Sequence, residues 1–301
     1  LRVLGQPPAT LGPDLARLLA RLRREAGMEL REVTGGEASI TIQAVNRSQI
    51  RRLLPQAACF VVPNVTSLAD YKRKRRSGKL NWAQLQQRTT VAIFVPNDTT
   101  PQEMRDCLHE ELAQALGPLN DLYRLPDSVF NDDNVHTVLT GFDMLVLRIY
   151  NDPALRSGMT RDEVAARLPG ILARLNPGGG TVAPRPARAT PQVWSRAIQT
   201  ALGRDVGRNA RMSAAQDALR IAQAQGWQDN RHAFSHYAMG RVTQMTDPAA
   251  AQTHYQMADT LYARTPGTTL HRAYVATQRA GYAVTIGDGA GALALIEPHL
   301  P

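Results

Sequence analysis

The chain is poor in aromatic residues, 5% of its 301 positions, and it has only two cysteines. No run approaches the eighteen or so apolar residues that a membrane-spanning helix requires. The last absence excludes an integral protein built on spanning helices. The size alone excludes a disulfide-stapled miniprotein and is ample for a buried core. An initiator methionine is missing too: the first residue is Leu1, and removal of an upstream segment is the expectation.

What is present is globular in composition, with 43% hydrophobic and 20% charged residues. Thirty-five Lys and Arg against twenty-six Asp and Glu give a formal charge of +9 and an isoelectric point near 10.0. That balance permits binding to nucleic acid, anionic lipid or an acidic partner without selecting among them. Cys59 and Cys107 fit either one disulfide in an oxidising compartment or two buried thiols in the cytosol. A bridge between them would pin the helix carrying Cys107 to the strand that starts at Cys59, and this is the preferred reading.

Composition shifts along the chain. Residues 1–176 mix strand and helix patterns, residues 177–190 form a Pro- and Gly-rich linker, and residues 191–301 read as helix after helix. In the first part the leucines of Pro13–Ala26 form a helical stripe stopped by Gly27. Strand-like runs follow at Ala38–Val45, Cys59–Val62 and Thr89–Val95. Thr100-Pro101-Gln102-Glu103 then opens a helix expected to run from 101 to about 116 and to stop at Gly117-Pro118. The linker prolines and glycines lead to expected helices near 191–202, 208–225, 231–244, 249–264, 269–285 and 289–297.

The most informative stretch is His109-Glu110-Glu111-Leu112-Ala113-Gln114, continued by Gly117, Asn120 and Asp121. A second metal ligand one helical turn after His109 would be Ala113, which has no donor atom. Shifted by one residue, Glu110, Glu111, Gln114, Gly117 and Asn120 fall on the ligand, base, ligand, glycine, ligand spacing of metzincin-type proteases. Two donors four residues apart share a helix face, the glycine reverses the chain, and a third donor returns. In that register Glu111 holds the place of a general base, and Glu110, Gln114 and Asn120 or Asp121 would hold an ion. Pro126–Asp132 lies where such proteases have a turn under the metal, and Leu139–Tyr150 resembles their next helix.

The first part therefore resembles a zincin-like α+β domain, and the second an all-α, tetratricopeptide-like domain of helical hairpins. The Ala251, Tyr255, Ala258 spacing and the Gly287-Asp288-Gly289 turn carry the second likeness. The zincin likeness lacks the histidines, leaving an oxygen set that is poor for zinc. The same motifs, with Asn151-Asp152-Pro153 and Arg156-Ser157-Gly158-Met159, also resemble a bacterial family of unknown function whose members are described as lipoproteins or exported proteins. That likeness implies a periplasmic, envelope-associated or secreted protein, with a missing N-terminal lipid anchor as a route to membrane tethering.

The leading expectation is an exported scaffold with a metalloprotease-like domain that has lost its zinc ligands, a pseudoenzyme that binds a protein or peptide through the old cleft or the helices. No cofactor is expected in that reading. The alternative is a metal-dependent hydrolase that holds a divalent cation in the oxygen-rich site. A second alternative is a polyanion or nucleic-acid binder acting through Lys72, Arg73, Lys74, Arg75, Arg76 and Lys79, with Trp82 nearby to stack on a base. A solvated basic loop is preferred to nucleic-acid binding there. His109 is expected at the surface or behind a ligand. His232 and His236 have one-turn spacing with no third ligand evident, and Tyr237, Tyr255, Tyr262, Tyr274 and Tyr282 belong either to the core or to a groove.

Overall fold

The computed structural model describes residues 1–182, 188–203 and 205–300. Part of the expected linker, 183–187, lies outside them, and Pro177–Thr181 before it forms a 3-10 turn. The chain divides into two compact units. Unit 1 comprises Leu1–Asn120 and Thr137–Pro184, and unit 2 comprises Asp121–His136 and Arg185–Pro301. No described helix is long and apolar enough to cross a membrane.

Unit 1 is α+β. Strands β1 (Arg2–Gly5), β2 (Ile40–Val45), β3 (Phe60–Pro63) and β4 (Val91–Pro96) form one mixed sheet in the order β1-β2-β4-β3. The β1–β2 and β2–β4 pairs are parallel, and β3 runs antiparallel to β4 with Val61 opposite Ile93. Helix α1 (Leu11–Ala26) follows β1, starts two residues before the expected Pro13, and buries Leu11 together with Leu15, Leu18, Leu19 and Leu22, the stripe expected from spacing. It stops at Gly27, whose φ of 67° is the left-handed conformation that glycine adopts without Cβ strain.

Period-two alternation divides the sheet residues between two layers. Val45, Phe60, Val62, Ala92 and Phe94 bury one face under the short helices α2 (Arg47–Arg51) and α3 (Leu68–Lys74), whose Ile50, Leu68 and Tyr71 join the same cluster. The N-terminus of α3 is fixed to the sheet by the Gln43 amide oxygen, which accepts from the Leu68 N–H at 2.7 Å. Helix α4 (Pro101–Leu116) packs against β4, β3 and α1. The Thr100 hydroxyl caps α4 by accepting from the Glu103 N–H at 3.2 Å, as the opening signature implies. The Glu103 carboxylate bonds Arg47 instead of completing a reciprocal box. Helices α5 (Gly141–Tyr150) and α6 (Arg161–Leu175) complete the unit, each opened by a threonine capping box.

Unit 2 is built from α7 (Gln192–Leu202), α8 (Arg208–Ala224), α9 (Asn230–Thr243), α10 (Pro248–Ala263), α11 (Thr269–Thr285) and α12 (Gly289–Ile296), each packing on the next. Alanine makes the close approaches and aromatic rings fill between them: Ala218, Ala233, Ala251 and Ala258 are fully buried beside Trp194, Tyr255 and Tyr262. Gly240 on α9 is needed for the α9–α10 contact, since a Cβ there would lie 2.4 Å from the Tyr255 ring. Tyr237, Tyr255 and Tyr262 are core residues, Tyr274 is exposed, and Tyr282 is half-buried.

The segment Asp121–His136 was expected in the first domain, with its Pro126–Asp132 turn beneath a metal. Its packing is with the helices of unit 2. The reason is apolar: Tyr123 meets Trp194 edge-on at 5.0 Å and Phe234 at 6.2 Å, and the Asn230 amide donates to the Tyr123 carbonyl at 2.7 Å. Buried Val129, Phe130 and Val135 accompany it.

Candidate functional site

Helix α4 places the expected site residues as follows. Glu110 and Gln114, one turn apart, lie on one partly exposed face. Glu111 is 5% exposed. Asn120 is exposed beyond the helix, at the end of unit 1, and Asp121 is exposed at the start of the unit 2 segment. Among the described residues no group of three or more His, Cys, Asp or Glu is placed to hold a metal ion.

The end of α4 is held by a residue that its local sequence does not announce. Arg88, from the loop before β4, donates to the carbonyls of Gln114 at 2.9 Å, Ala115 at 3.3 Å and Gly117 at 2.7 Å. The guanidinium also donates to the Tyr150 hydroxyl at 3.0 Å and lies over the rings of Trp82 and Tyr150 at 5.1 and 5.4 Å. A cation here neutralises the negative end of the helix dipole and donates to the carbonyls of its last turn, where the Gln114 carbonyl also accepts from the Gly117 N–H at 3.4 Å. Tyr150 closes the turn from the other side, since a Cβ on Gly117 would lie 3.0 Å from its ring. Trp82, the ring that the nucleic-acid alternative would stack on a base, lies under Arg88.

His109 is not at the surface. It is 6% exposed, and its Nδ1 accepts the Leu139 N–H at 3.1 Å, which ties α4 to the entry of α5. Burial first, then Arg21 and Arg105, lower its pKa to about 4, so the ring is neutral. Asp106, one turn earlier, is pushed up to about 6 chiefly by burial. Cys107 is bonded to Cys59, with a Cα–Cα separation of 5.9 Å, which removes it as a nucleophile and fastens α4 to the start of β3.

In the basic run, Asp70 pairs with both Arg73 and Lys74 at 3.0 Å, and Lys74 also donates to the Asn64 carbonyl. Lys72, Arg75, Arg76 and Lys79 are exposed. In unit 2, His236 Nδ1 lies 3.0 Å from His254 Nδ1, and the His232 and His236 rings stack at 5.2 Å. His254 of α10, which spacing along α9 does not reveal, joins the pair, but the three are not placed to hold a metal ion. Burial lowers the His236 pKa to about 4 and lowers that of His254.

A second buried pair has no local sequence signal, because its partners are 138 residues apart: His271 Nε2 meets Asp133 Oδ2 at 2.7 Å. Both side chains are almost fully buried, 0% and 2% exposed. Asp133 Oδ2 also accepts from the Asn131 amide at 2.7 Å, and its Oδ1 accepts the Val135 N–H at 3.0 Å. Tyr262 and His136 flank the His271 ring at 4.9 and 5.5 Å. The arrangement seats the 121–136 segment on α11.

No curated protein and no solved structure matches the chain. The model of one protein family, described as "Protein of unknown function (DUF2927)", matches residues 1–170. That match covers more than half of the 301 residues, takes in the sheet and helices α1 to α5, and shows that the chain belongs to this family.

Proposed function

We propose that the protein is an exported, non-enzymatic binding protein: a zincin-like unit without zinc ligands, joined to tetratricopeptide-like hairpins that take a protein or peptide partner. The order of long helix, mixed strands and motif helix supports the zincin likeness, and the α9–α10 contact of Gly240 with Tyr255 supports the hairpin likeness. The Cys59–Cys107 bridge supports a setting outside a reducing cytosol, such as the periplasm. The observation that carries the absence of catalysis is Arg88. Its guanidinium is fixed on the main-chain carbonyls of Gln114 and Gly117, the motif's second ligand position and its glycine. A divalent cation next to a fixed guanidinium would suffer like-charge repulsion in a partly desolvated place.

The test is metal content and cleavage together. Protein purified without chelators is expected to carry less than about a tenth of an equivalent of any divalent metal. It should also leave unfolded substrate proteins intact in the presence of zinc, calcium or manganese. Metal-dependent cleavage abolished by Glu111→Gln would overturn the reading. It would establish the alternative, a hydrolase with Glu110, Gln114 and Asn120 or Asp121 as ligands, which the burial of Glu111 at the base position favours.

A further inference from the structure

The net charge is not spread over the molecule. Between Ala38 and Asn97 there are ten Lys and Arg and a single acidic residue, Asp70, a surplus of nine that equals the formal charge of the whole chain. The remaining 241 residues are balanced, with twenty-five cations against twenty-five anions. Asp70 does little to dilute the surplus, because it is buried and held by Arg73 and Lys74.

The fold gathers six of these ten cations on one side of unit 1, while Arg47 pairs with Glu103, Arg73 and Lys74 pair with Asp70, and Arg88 holds the end of α4. Helices α2 and α3 cover the same face of the sheet over one apolar cluster. Arg51 and Arg52 at the end of α2, and Lys72, Arg75, Arg76 and Lys79 on and after α3, are all exposed. Leu54, two residues past Arg52, is 36% exposed and adds an apolar contact to the basic layer.

We propose that this α2–α3 face docks on an anionic membrane surface, with its cations at the level of the lipid phosphates. A lipid surface fits better than nucleic acid for two reasons on the same face. A single-strand binder needs aromatic rings open for stacking. Here Tyr71 packs on Phe60 at 5.3 Å and Phe94 at 6.1 Å, while Trp82 lies under Arg88. The disulfide in this unit belongs to an oxidising compartment, where membranes present phosphates and nucleic acid is scarce. The proposal stands whether or not the α4 region cleaves anything.

The experiment is sedimentation of the full chain with vesicles of phosphatidylcholine alone or with about 30% phosphatidylglycerol, at 50 and 300 mM NaCl. Binding is expected only to the anionic vesicles, and weaker at the higher salt. The variant R51Q/R52Q/K72Q/R75Q/R76Q/K79Q should lose on the order of ten-thousandfold in partitioning, since each surface cation contributes roughly fivefold. A control variant removes six exposed cations elsewhere, R31Q/R161Q/R196Q/R208Q/R220Q/R264Q, and should lose less than a tenth as much. Equal losses in the two variants would mean that net charge alone is sensed, and would overturn the proposal. So would failure to bind anionic vesicles at low salt, or tighter binding to a thirty-nucleotide single strand than to the vesicles. If the sixfold variant melts early, R75Q/R76Q/K79Q carries the same comparison with an expected loss of about a hundredfold.

Discussion

The two units reach a buried core by different means. Unit 1 presses leucine stripes and a β-branched sheet together: Leu15, Leu18 and Leu22 of α1, Ile42 and Ile93 of the strands, and Met104, Leu108 and Leu112 of α4 are all buried, and a disulfide crosses the result. Unit 2 approaches its helices through alanine and glycine, so each contact removes less apolar area from water. Aromatic wedges make up the area, and buried polar pairs set the register: Asp133 with His271, the Trp194 Nε1–H with the Ser235 hydroxyl at 2.9 Å, and Asn230 with the Tyr123 carbonyl. Unit 1 adds a covalent bond to shape and to hydrogen bonds such as that of His109 with Leu139, whereas unit 2 relies on shape and on hydrogen bonds that work only in one alignment.

That contrast is broken most forcefully at the disulfide. Cys59 and Cys107 close a loop of 48 residues, for which the chain-entropy model gives about 4 kcal/mol. The double serine variant should lower the melting transition of unit 1 and leave unit 2 in place, as read by hydrogen exchange across both units. Equal loss in both would mean that they unfold as one body, and the contrast would fail.

The converse blow falls on Asp133. Asp133→Ala strands the buried His271 and frees the Asn131 amide and the Val135 N–H, at a cost of about 3 kcal/mol. Unit 2 should soften first at 121–136, seen as faster amide exchange there while the β2 and β4 amides keep their protection. A smaller effect is expected from Gly240→Ala, whose methyl must displace the Tyr255 ring or part α9 from α10, costing about 2 kcal/mol. The loss of ring packing should appear in near-ultraviolet circular dichroism before helix content falls.

What the sequence made legible follows from the range of the interactions involved. The six helices of unit 2 lie within about one residue of their expected ends, because Gly226, Asp247-Pro248, Pro266-Gly267 and Gly287 act locally. Helix α4 was legible for the same reason, and the Cys59–Cys107 pairing because only one partner was available. Strand β1 and helices α2, α3 and α6 were not anticipated. β1 is four residues of an edge strand with no alternation to read, and α2 and α3 are one to two turns that exist by packing on the sheet. In the candidate site, the shared face of Glu110 and Gln114 followed from helical period alone. Arg88, His254 and His271 were out of reach, because each meets its partner across 18 to 138 residues and nothing near it in sequence is unusual. The 121–136 segment was placed by motif order, while its apolar residues are satisfied by helices that begin more than fifty positions later.

The smallest effect expected is the response of unit 1 to mild acid, and it sharpens the contrast by its near absence. His109 has a folded pKa of about 4 against 6.5 when free, so its contribution is complete above pH 6.5 and is lost as the pH falls toward 4. Asp106 on the same helix has a folded pKa of about 6 against 3.8. Its contribution is complete below 3.8 and is lost as the pH rises through 6, so acidification restores it. Between pH 6.5 and 5 the two changes oppose each other within one turn of α4, and the stability of unit 1 should stay within about 1 kcal/mol. The described groups of unit 2 that titrate near this range lean the other way: burial lowers His136, His236 and His254, and raises Asp132. Thermal scans at pH 6.5, 5.8 and 5.0 should therefore move the unit 2 transition down while that of unit 1 holds. Asp106→Asn removes the compensating group and should make unit 1 acid-labile over the same range. If unit 1 in that variant holds as well as before, the neutral His109 is not what senses the acid, and the opposition inside α4 is refuted.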